Sequence, residues 1–233
     1  MFWKGIVEEL LFFIRGETNS KLLEEKGINI WKGNTSKEFL DSLGLPYNEG
    51  EMGPMYGYQW RNFNKPYGDD NGKGVDQLKL LISEIKNNPT SRRLIMTDFN
   101  PAQVNEGVLY PCHSLILQFY VNEGMLSVNM YQRRADVFLG LPFNIASTSL
   151  LLHIVASLTD LKPKDVTITL GDCHIYEEHI PQCNLQLSRK QYLLPILSIP
   201  KFSTLEEVEN SVFTDYKPID YNYHPGIKAE MKA

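Results

Sequence analysis

Two short runs with the alternating pattern of β-strands, joined by a turn sequence, most constrain how this chain folds. Residues 114–121 are apolar and β-rich, residues 126–132 alternate again, and Asn122-Glu123-Gly124 between them is typical of a hairpin turn. An antiparallel hairpin returns Arg133, after the second run, toward Cys112, before the first. Since the thiolate is the nucleophile and a nearby guanidinium lowers the pKa of a thiol, the hairpin predicts a reactive cysteine with an activating arginine.

Patterns in the rest of the chain predict a single α/β domain over residues 1–233, because no internal repeat or linker divides it. A hydrophobic content of 42% is enough for a core. The nearly all-apolar residues 145–158 predict a long helix at the centre of the fold. Further helices are expected over 3–15, 21–26 and 75–87, a polar loop over 47–74, and strands over 92–99, 166–170, 195–199 and 211–216.

Charge and apolar patterning exclude several classes of protein. A net charge of −5 argues against a nucleic-acid-binding surface, which needs clustered Lys and Arg. No continuous apolar run reaches the roughly 18 residues of a membrane span, and Glu8-Glu9 soon follows the N-terminus, unlike in a signal peptide. The three cysteines are an odd number without a C-x-x-C pair, which favours a reducing environment. We therefore expect a cytoplasmic protein without membrane or nucleic-acid partners.

Metal and phosphate-loop motifs are weak or missing in the sequence. Cys173, His174, His179 and Cys183 lie close together, but their spacing differs from that of structural zinc sites and Pro181 interrupts them. The chain has no G-x-x-x-x-G-K-[ST] loop, and residues 72–74 lack the third glycine of a dinucleotide fingerprint. We therefore predict no metal ion and no nucleotide loop of these kinds.

Two alternatives for Cys112 remain open from the residues alone. Together with His174 and Asn144 it supplies the residue types of a cysteine protease, although no protease signature surrounds it. The second alternative is a buried, inert thiol, which is common among cysteines in proteins. The proline before it, the histidine after it, and the arginine pairs 92–93 and 133–134 favour a reactive thiol instead.

Glu9 lies within an apolar helix, where a carboxylate has unusual properties. Adjacent Glu8 points about 100° away around the helix, so only one of the two is expected to face inward. A carboxyl group in apolar surroundings has a raised pKa and exchanges protons near neutral pH. The alternative is an ordinary acid on the helix surface.

Several segments, in order along the chain, resemble motifs of the thymidylate synthase family. They are Phe2-Trp3-Lys4-Gly5 with Glu9-Leu10-Leu11, Gly53-Pro54-Met55-Tyr56-Gly57, Ser91-Arg92-Arg93, Pro111-Cys112-His113, Tyr131-Gln132-Arg133, and the runs LGLPFNIAS at 139–147, LGDCHIY at 170–176 and HPGIK at 224–228. The resemblance implies a mixed sheet packed with helices, with the sheets of two subunits stacked back to back in a homodimer. It also implies transfer of a one-carbon unit from 5,10-methylenetetrahydrofolate to C5 of dUMP and its reduction to methyl, giving dTMP and dihydrofolate.

The resemblance assigns roles to individual residues. Cys112 would add to C6 of uracil, Glu9 would shuttle protons, and Tyr56 would help to remove the C5 proton. The implied catalytic residues are Cys112, Glu9, Tyr56, Arg133, Asn144 and Asp136. The dUMP-binding residues are Arg92, Arg93, Gln132, Arg133, Arg134, Asn144, His174 and Tyr176, of which Arg92 and Arg93 would reach the phosphate in the partner's site. The folate-binding residues are Ile30, Trp31, Asp136, Leu139, Phe143 and Tyr221.

Three features depart from the family pattern. The chain begins late relative to the family and is expected to lack the arginine loop that clamps phosphate. Arg134 replaces the usual phosphate-binding serine, and we expect its guanidinium to grip phosphate in partial compensation. Lys232 places a charge in a tail that normally helps to close the site, and weaker closure would admit water.

A dUMP hydroxymethylase therefore remains an alternative function, as does an inactive nucleotide-binding homologue. Asn144 suits uracil in either case, because an amide both donates and accepts hydrogen bonds.

Overall fold

A four-stranded sheet in the order β1-β2-β3-β4 forms the centre of the computed structural model, which describes residues 1–231. Its strands are β1 Ile95–Met96, β2 Ile116–Asn122, β3 Met125–Asp136 and β4 Lys162–His174. Alternate residues of β2 and β3 are buried, so one face of the sheet meets the core and the other is exposed. The predicted α/β class is confirmed.

The hairpin predicted from the alternating runs is confirmed. β2 and β3 pair antiparallel, with Ile116 opposite Tyr131 and Val121 opposite Leu126. Glu123 and Gly124 both have positive φ, 50° and 74°, as a two-residue type I′ turn requires. The turn therefore fixes the register that carries β3 back past the start of β2.

A long helix connects β3 to β4, which are parallel neighbours. This helix, α6 (Leu141–Leu158), begins with Pro142 in its first turn and buries Leu150, Leu151, Leu152, Ile154 and Val155. By length and composition alone α6 is long and apolar enough to cross a membrane, with a mean hydropathy of 1.5 over 18 residues, although no continuous apolar run in the sequence is that long. It packs on β3, β4 and α1 (Trp3–Ile14), as a core helix does.

Glycine permits the close approach of β4 to β3 beside the predicted site. A Cβ on Gly171 would lie 2.7 Å from the carbonyl oxygen of Arg133 and 2.9 Å from the hydroxyl of Tyr131. The parallel register then places Arg134 opposite Asp172 and Asp136 opposite His174. Site residues from both strands thus lie at the same edge of the sheet.

Further helices precede the sheet. They are α2 Lys21–Glu24, α3 Lys37–Ser42, α4 Gly57–Asn62 and α5 Gln77–Asn87. Helices α2 and α4 contact α1, and α5 contacts α4 and β1. Arg61 of α4 donates to the carbonyl oxygen of Ile14, pairs with Asp76 at 3.0 Å and bonds Glu209, so one guanidinium joins three segments. After the sheet come α7 Ile180–Leu187, β5 Ile196–Ser198, α8 Leu205–Glu209 and β6 Lys217–Ile219, with β5 and β6 pairing as an antiparallel ribbon.

Several predicted boundaries are wrong for identifiable reasons. The loop expected over 47–74 contains α4, which tertiary packing holds, since a Cβ on Gly57 would lie 2.3 Å from the carbonyl oxygen of Phe13. The strand over 92–99 shortens to β1, and that over 166–170 extends to the whole of β4. The strand expected over 211–216 is wrong, because Phe213–Asp215 is a short 3₁₀ helix. The Asp215 carboxylate holds its start by accepting from the backbone N–H of Val212 over 3.0 Å.

Candidate active site

Cys112 lies just before β2, where the hairpin brings the end of β3 beside it. The backbone N–H of Arg133 donates to the carbonyl oxygen of Cys112 over 2.9 Å, extending the β2–β3 pairing beyond the strands. The side chain of Cys112 is half-buried and its thiol is free. The predicted juxtaposition of the cysteine and the arginine is confirmed.

The guanidinium of Arg133 braces the segment that carries the thiol. Its Nε donates to the carbonyl oxygen of Pro111 over 3.2 Å and its Nη2 to that of Tyr110 over 3.4 Å. Its positive charge lowers the pKa of Cys112, but burial acts more strongly, and the pKa of the thiol lies above its ordinary value of 9.0. Arg133 therefore shifts the pKa of the thiol in the predicted direction, but it does not by itself bring that pKa below the ordinary value.

Tyr56 contacts Cys112 through its hydroxyl group. The Oη accepts from the backbone N–H of Cys112 over 3.2 Å and lies 3.4 Å from its Sγ. The ring packs against Phe13, with 4.9 Å between ring centroids, and against His113, with 4.8 Å. Burial raises the pKa of Tyr56 well above its ordinary 10, so the hydroxyl stays protonated near neutral pH and is able to donate to a thiolate.

Glu9 reaches the same region from α1. The indole N–H of Trp31 donates to its Oε1 over 2.8 Å, and the Trp31 ring meets Tyr56 edge-on at 5.8 Å. Burial raises the pKa of Glu9 to about 7, as the sequence indicated. The expectation that only one of Glu8 and Glu9 faces inward is wrong, because Glu8 is buried as well and pairs with Lys26 at 2.5 Å.

The carboxyl end of β3 supplies a polar group beside this centre. Gln132 is buried, and its amide donates to the carbonyl oxygen of Arg134 over 2.9 Å. Its Oε1 has no hydrogen-bond partner within residues 1–231. Arg134 is exposed, and its guanidinium bonds the hydroxyl of Tyr176. The end of β3 thus carries an unpartnered acceptor, Oε1 of Gln132, and an exposed cation, the Arg134 guanidinium.

The end of β4 adds a second polar group. The Nδ1 of His174 lies 3.2 Å from a carboxylate oxygen of Asp172, and its ring meets Tyr176 edge-on at 5.1 Å. The buried Nε2 of His174 is without a hydrogen-bond partner in the part of the chain that the structure describes. Because Tyr176 also bonds Arg134, β3 and β4 together present donors and acceptors suited to a polar ligand.

Asp136 and Asn144 lie at either side of the turn that enters α6. The Asp136 Oδ1 accepts from the backbone N–H groups of Phe138 over 3.1 Å and Leu139 over 3.2 Å. The Asn144 backbone N–H donates to the carbonyl oxygen of Gly140 over 3.2 Å, so Asn144 lies in the first turn of α6. Its side chain is half-buried. The turn therefore fixes the Asp136 carboxylate and the backbone of Asn144 at the same end of the sheet.

The predicted folate residues do not form one closed group. Trp31 is nearly buried, whereas Ile30 and Phe143 are 39% and 37% exposed, and Leu139 lies in the turn before α6. Tyr221 lines an apolar cavity of about 440 Å³ with Trp3, Ala146, Ser149, His153 and others from α1, α6 and the β5–β6 ribbon. Among the described residues, Tyr221 is the one predicted folate residue that lines this cavity.

Arg92 and Arg93 are both exposed in the segment that precedes β1. The hydrogen bonds at Cys112 come from Tyr56 and Arg133 rather than from this pair. Lys232, the other residue singled out from the sequence, lies outside the described residues.

The whole chain, residues 1–233, matches the family model described as "Thymidylate synthase". The chain belongs to the thymidylate synthase family. It is 48% identical to human thymidylate synthase, covering 99% of this chain and 74% of that protein, and 44% identical to thymidylate synthase 1/2 of Encephalitozoon cuniculi, covering 100% and 80%.

The names of some longer relatives include a second enzyme activity. The chain is 45% identical to the bifunctional dihydrofolate reductase-thymidylate synthase of Zea mays over 99% of its own residues. It spans about half the length of that protein, 45%, and 47% of a putative rice protein of the same name.

Two residues of this thymidylate synthase family member were missed by sequence reasoning. Asp98, buried after β1, contacts the hydroxyl of Ser114, two residues after Cys112. The available signal was an acid within the mostly apolar run 94–99. Among the described residues, no group of three or more His, Cys, Asp or Glu side chains converges as metal ligands do.

Proposed function

We propose that this protein is a thymidylate synthase, which converts dUMP and 5,10-methylenetetrahydrofolate to dTMP and dihydrofolate. The observation that carries the proposal is the contact between Cys112 and Tyr56 at the sheet edge where Arg133 braces the cysteine segment. Membership of the family supports it. In this reading β3, β4 and the start of α6 surround one nucleotide.

The first chemical step is addition of the Cys112 thiolate to C6 of uracil. The new S–C6 bond uses the electron pair of sulfur, and the C5–C6 π electrons move toward C5 and the C4 carbonyl, which makes C5 a nucleophile. Because burial disfavours the thiolate, the opposing influences of Arg133 and the Tyr56 hydroxyl are needed to hold the negative charge. The Asn144 amide, which both donates and accepts, would read the pyrimidine edge.

The polar groups at the ends of β3 and β4 suit the rest of the nucleotide. Arg133 and Arg134 would bind the phosphate, and His174 with Tyr176 would bind the ribose hydroxyl. The unpartnered Oε1 of buried Gln132 and Nε2 of His174 support a polar ligand here, because a buried polar atom without a partner is costly. Gln132 would help to position the nucleotide.

The folate co-substrate would lie against the apolar surface beside the nucleotide. Ile30, Trp31, Leu139, Phe143 and Tyr221 would line its site, and Asp136 would hydrogen-bond the pterin. The folate supplies the one-carbon unit and the hydride. Glu9, with a pKa raised to about 7, holds or releases a proton near neutral pH and would relay it during methylene transfer.

The decisive experiment measures products. The chain is incubated with dUMP and 5,10-methylenetetrahydrofolate, dihydrofolate is followed by its absorbance, and nucleotides are separated by chromatography. We expect equal amounts of dTMP and dihydrofolate, and neither from Cys112→Ser. Formation of 5-hydroxymethyl-dUMP would identify a hydroxymethylase, whereas nucleotide binding without any product would identify an inactive homologue, and either result overturns the proposal.

The proposed enzyme is a two-fold homodimer, located in the cytoplasm, with Arg92 and Arg93 completing the partner's phosphate site. The exposed positions of both arginines support this arrangement, as does the exposed face of the sheet, which includes Ile116, Tyr120 and Tyr131. Sedimentation analysis tests the dimer, and fractionation of the source cells tests the location.

A further inference from the structure

A carboxyl group is buried close to the nucleophile without being part of the proposed chemistry. Asp98 follows β1 and is 1% exposed. Its Oδ2 lies 2.5 Å from the hydroxyl of Ser114, while its Oδ1 has no hydrogen-bond partner among residues 1–231. An ionised carboxylate buried in this way is costly, and burial raises the pKa of Asp98 to about 7.

Ser114 links this carboxyl to the cysteine segment. It is buried, and its backbone has a φ of 54°, in the left-handed region that non-glycine residues rarely adopt. Its backbone N–H contacts the Met130 sulfur at 3.3 Å, and its hydroxyl also lies 3.3 Å from Nδ1 of His113. The bond to Asp98 therefore helps to hold an unusual turn two residues after Cys112.

Four titratable groups face Cys112 from the surrounding elements. They are Tyr56 before α4, Asp98 after β1, adjacent His113, and Arg133 at the end of β3. The charges of Asp98 and Arg133 act in opposite directions, because a nearby anion disfavours the thiolate and a nearby cation favours it. Burial lowers the pKa of His113 to about 4, so the imidazole is neutral near pH 7 and adds no charge.

We propose that Asp98 and Ser114 are positioning residues of the catalytic centre, which hold the turn after Cys112 and make ionisation of the thiol depend on the proton carried by Asp98. The proposal rests on the proposed function only in taking Cys112 as the nucleophile. With Asp98 protonated, Arg133 acts on the thiol without an opposing anion. With Asp98 ionised, the buried negative charge opposes formation of the thiolate.

The test measures the reactivity of Cys112 and needs neither dUMP nor folate. Wild type, Asp98→Asn and Ser114→Ala are treated with iodoacetamide over a series of pH values. Mass spectrometry follows labelling of the peptide that contains Cys112 and distinguishes it from the peptides that contain Cys173 and Cys183. Asp98→Asn keeps an acceptor for Ser114 and removes the charge. We expect the midpoint of its rate profile to fall by about half a pH unit, giving roughly threefold faster labelling below the midpoint.

Ser114→Ala gives an independent result should Asp98→Asn not fold. Loss of the hydroxyl removes the bond that stabilises the Asp98 carboxylate, so the pKa of Asp98 rises above about 7 and the group stays protonated to higher pH. We therefore expect up to roughly threefold faster labelling between about pH 7 and pH 8, where Asp98 of the wild type becomes ionised, and little change above about pH 9, where Asp98 is ionised in both proteins. A purely structural role would loosen the turn and raise the rate at the high-pH plateau without moving the midpoint. Asp165→Asn, an exposed change of equal charge, is the control.

An unchanged midpoint in folded Asp98→Asn, or labelling of folded Ser114→Ala that equals wild type between pH 7 and pH 8, would overturn the proposal. Because labelling does not require turnover, a lowered midpoint in a chain that makes no dTMP would contradict the proposed function and leave this inference standing.

Discussion

The hydroxyl oxygen of Tyr56 lies 3.4 Å from the Sγ of Cys112 and accepts a hydrogen bond from the backbone N–H of the same residue over 3.2 Å. Tyr56 has a φ of 46° and its ring packs against both Phe13 and His113, so its hydroxyl has little freedom to move. One hydroxyl group thus contacts both the backbone and the sulfur of Cys112.

Replacing Tyr56 by Phe should remove both interactions. The pKa of Cys112 should rise, because the Tyr56 hydroxyl bond lowers it, and labelling by iodoacetamide at pH 8 should slow. Loss of a group that helps to transfer the C5 proton should lower kcat by about 10²–10⁴-fold. The half-buried backbone N–H of Cys112 left without its partner should cost about 1–3 kcal/mol of unfolding free energy.

Rates of dTMP formation and urea unfolding curves measure these effects. Tyr192→Phe, at a tyrosine that is 46% exposed, is the matched control and should behave as wild type. Unchanged kcat and unchanged labelling in Tyr56→Phe would show that the contact has no chemical role.

The proximity of Cys112 and Arg133 was predictable because it depends on the alternation of apolar and polar residues in two neighbouring strands and on one turn, and the sequence of residues 114–132 shows both. The high pKa of the thiol was not, because it depends on burial and on Asp98, whose position follows from how β1 joins the sheet. Helix α4 was hidden for a similar reason, since the contact of Gly57 with Phe13 holds it. The family resemblance located Tyr56 and Glu9, whereas Asp98 and Ser114 required coordinates.

Arg134→Ser tests whether the second guanidinium of β3 binds phosphate. A charge-assisted bond to phosphate is worth about 1.5–3 kcal/mol, so the Kd for dUMP should rise about 10- to 100-fold. The affinity for deoxyuridine, which lacks the phosphate, should change little. Calorimetric titration with both ligands gives the comparison, and Lys73→Ser, at an exposed loop lysine, controls for the loss of one positive charge. Equal affinity of wild type and Arg134→Ser for dUMP would rule out this role.

Glu9→Gln should alter the pH dependence of stability. The pKa of Glu9 is about 7 in the fold against an ordinary 4.5, so the folded state holds the proton more tightly than the unfolded state. Its contribution to stability is therefore fully present below about pH 4.5 and is lost as pH rises through about 7. Glutamine still accepts a hydrogen bond from Trp31 but does not titrate. As pH rises from 5 to 8, the unfolding free energy of the variant should therefore increase relative to that of wild type, by at most about 3 kcal/mol.

Urea unfolding at both pH values and one protein concentration measures that difference for Glu9→Gln. Glu38→Gln, at an exposed acid of α3, should show no such gain. The same Glu9→Gln protein should lose dTMP formation at every pH, since it has no proton to relay. A stability difference that stays constant with pH would contradict the raised pKa.

Mixed dimers test whether Arg93 acts in the partner's site. Arg93→Ala and Cys112→Ser should each be nearly inactive alone. When the two chains are unfolded together and refolded, half of the dimers are mixed, and each mixed dimer contains one site with both an intact Cys112 and an intact Arg93. We therefore expect about a quarter of wild-type dTMP formation. If Arg93 serves its own chain's site, every site lacks one of the two residues and mixing restores nothing, which would contradict the shared arrangement.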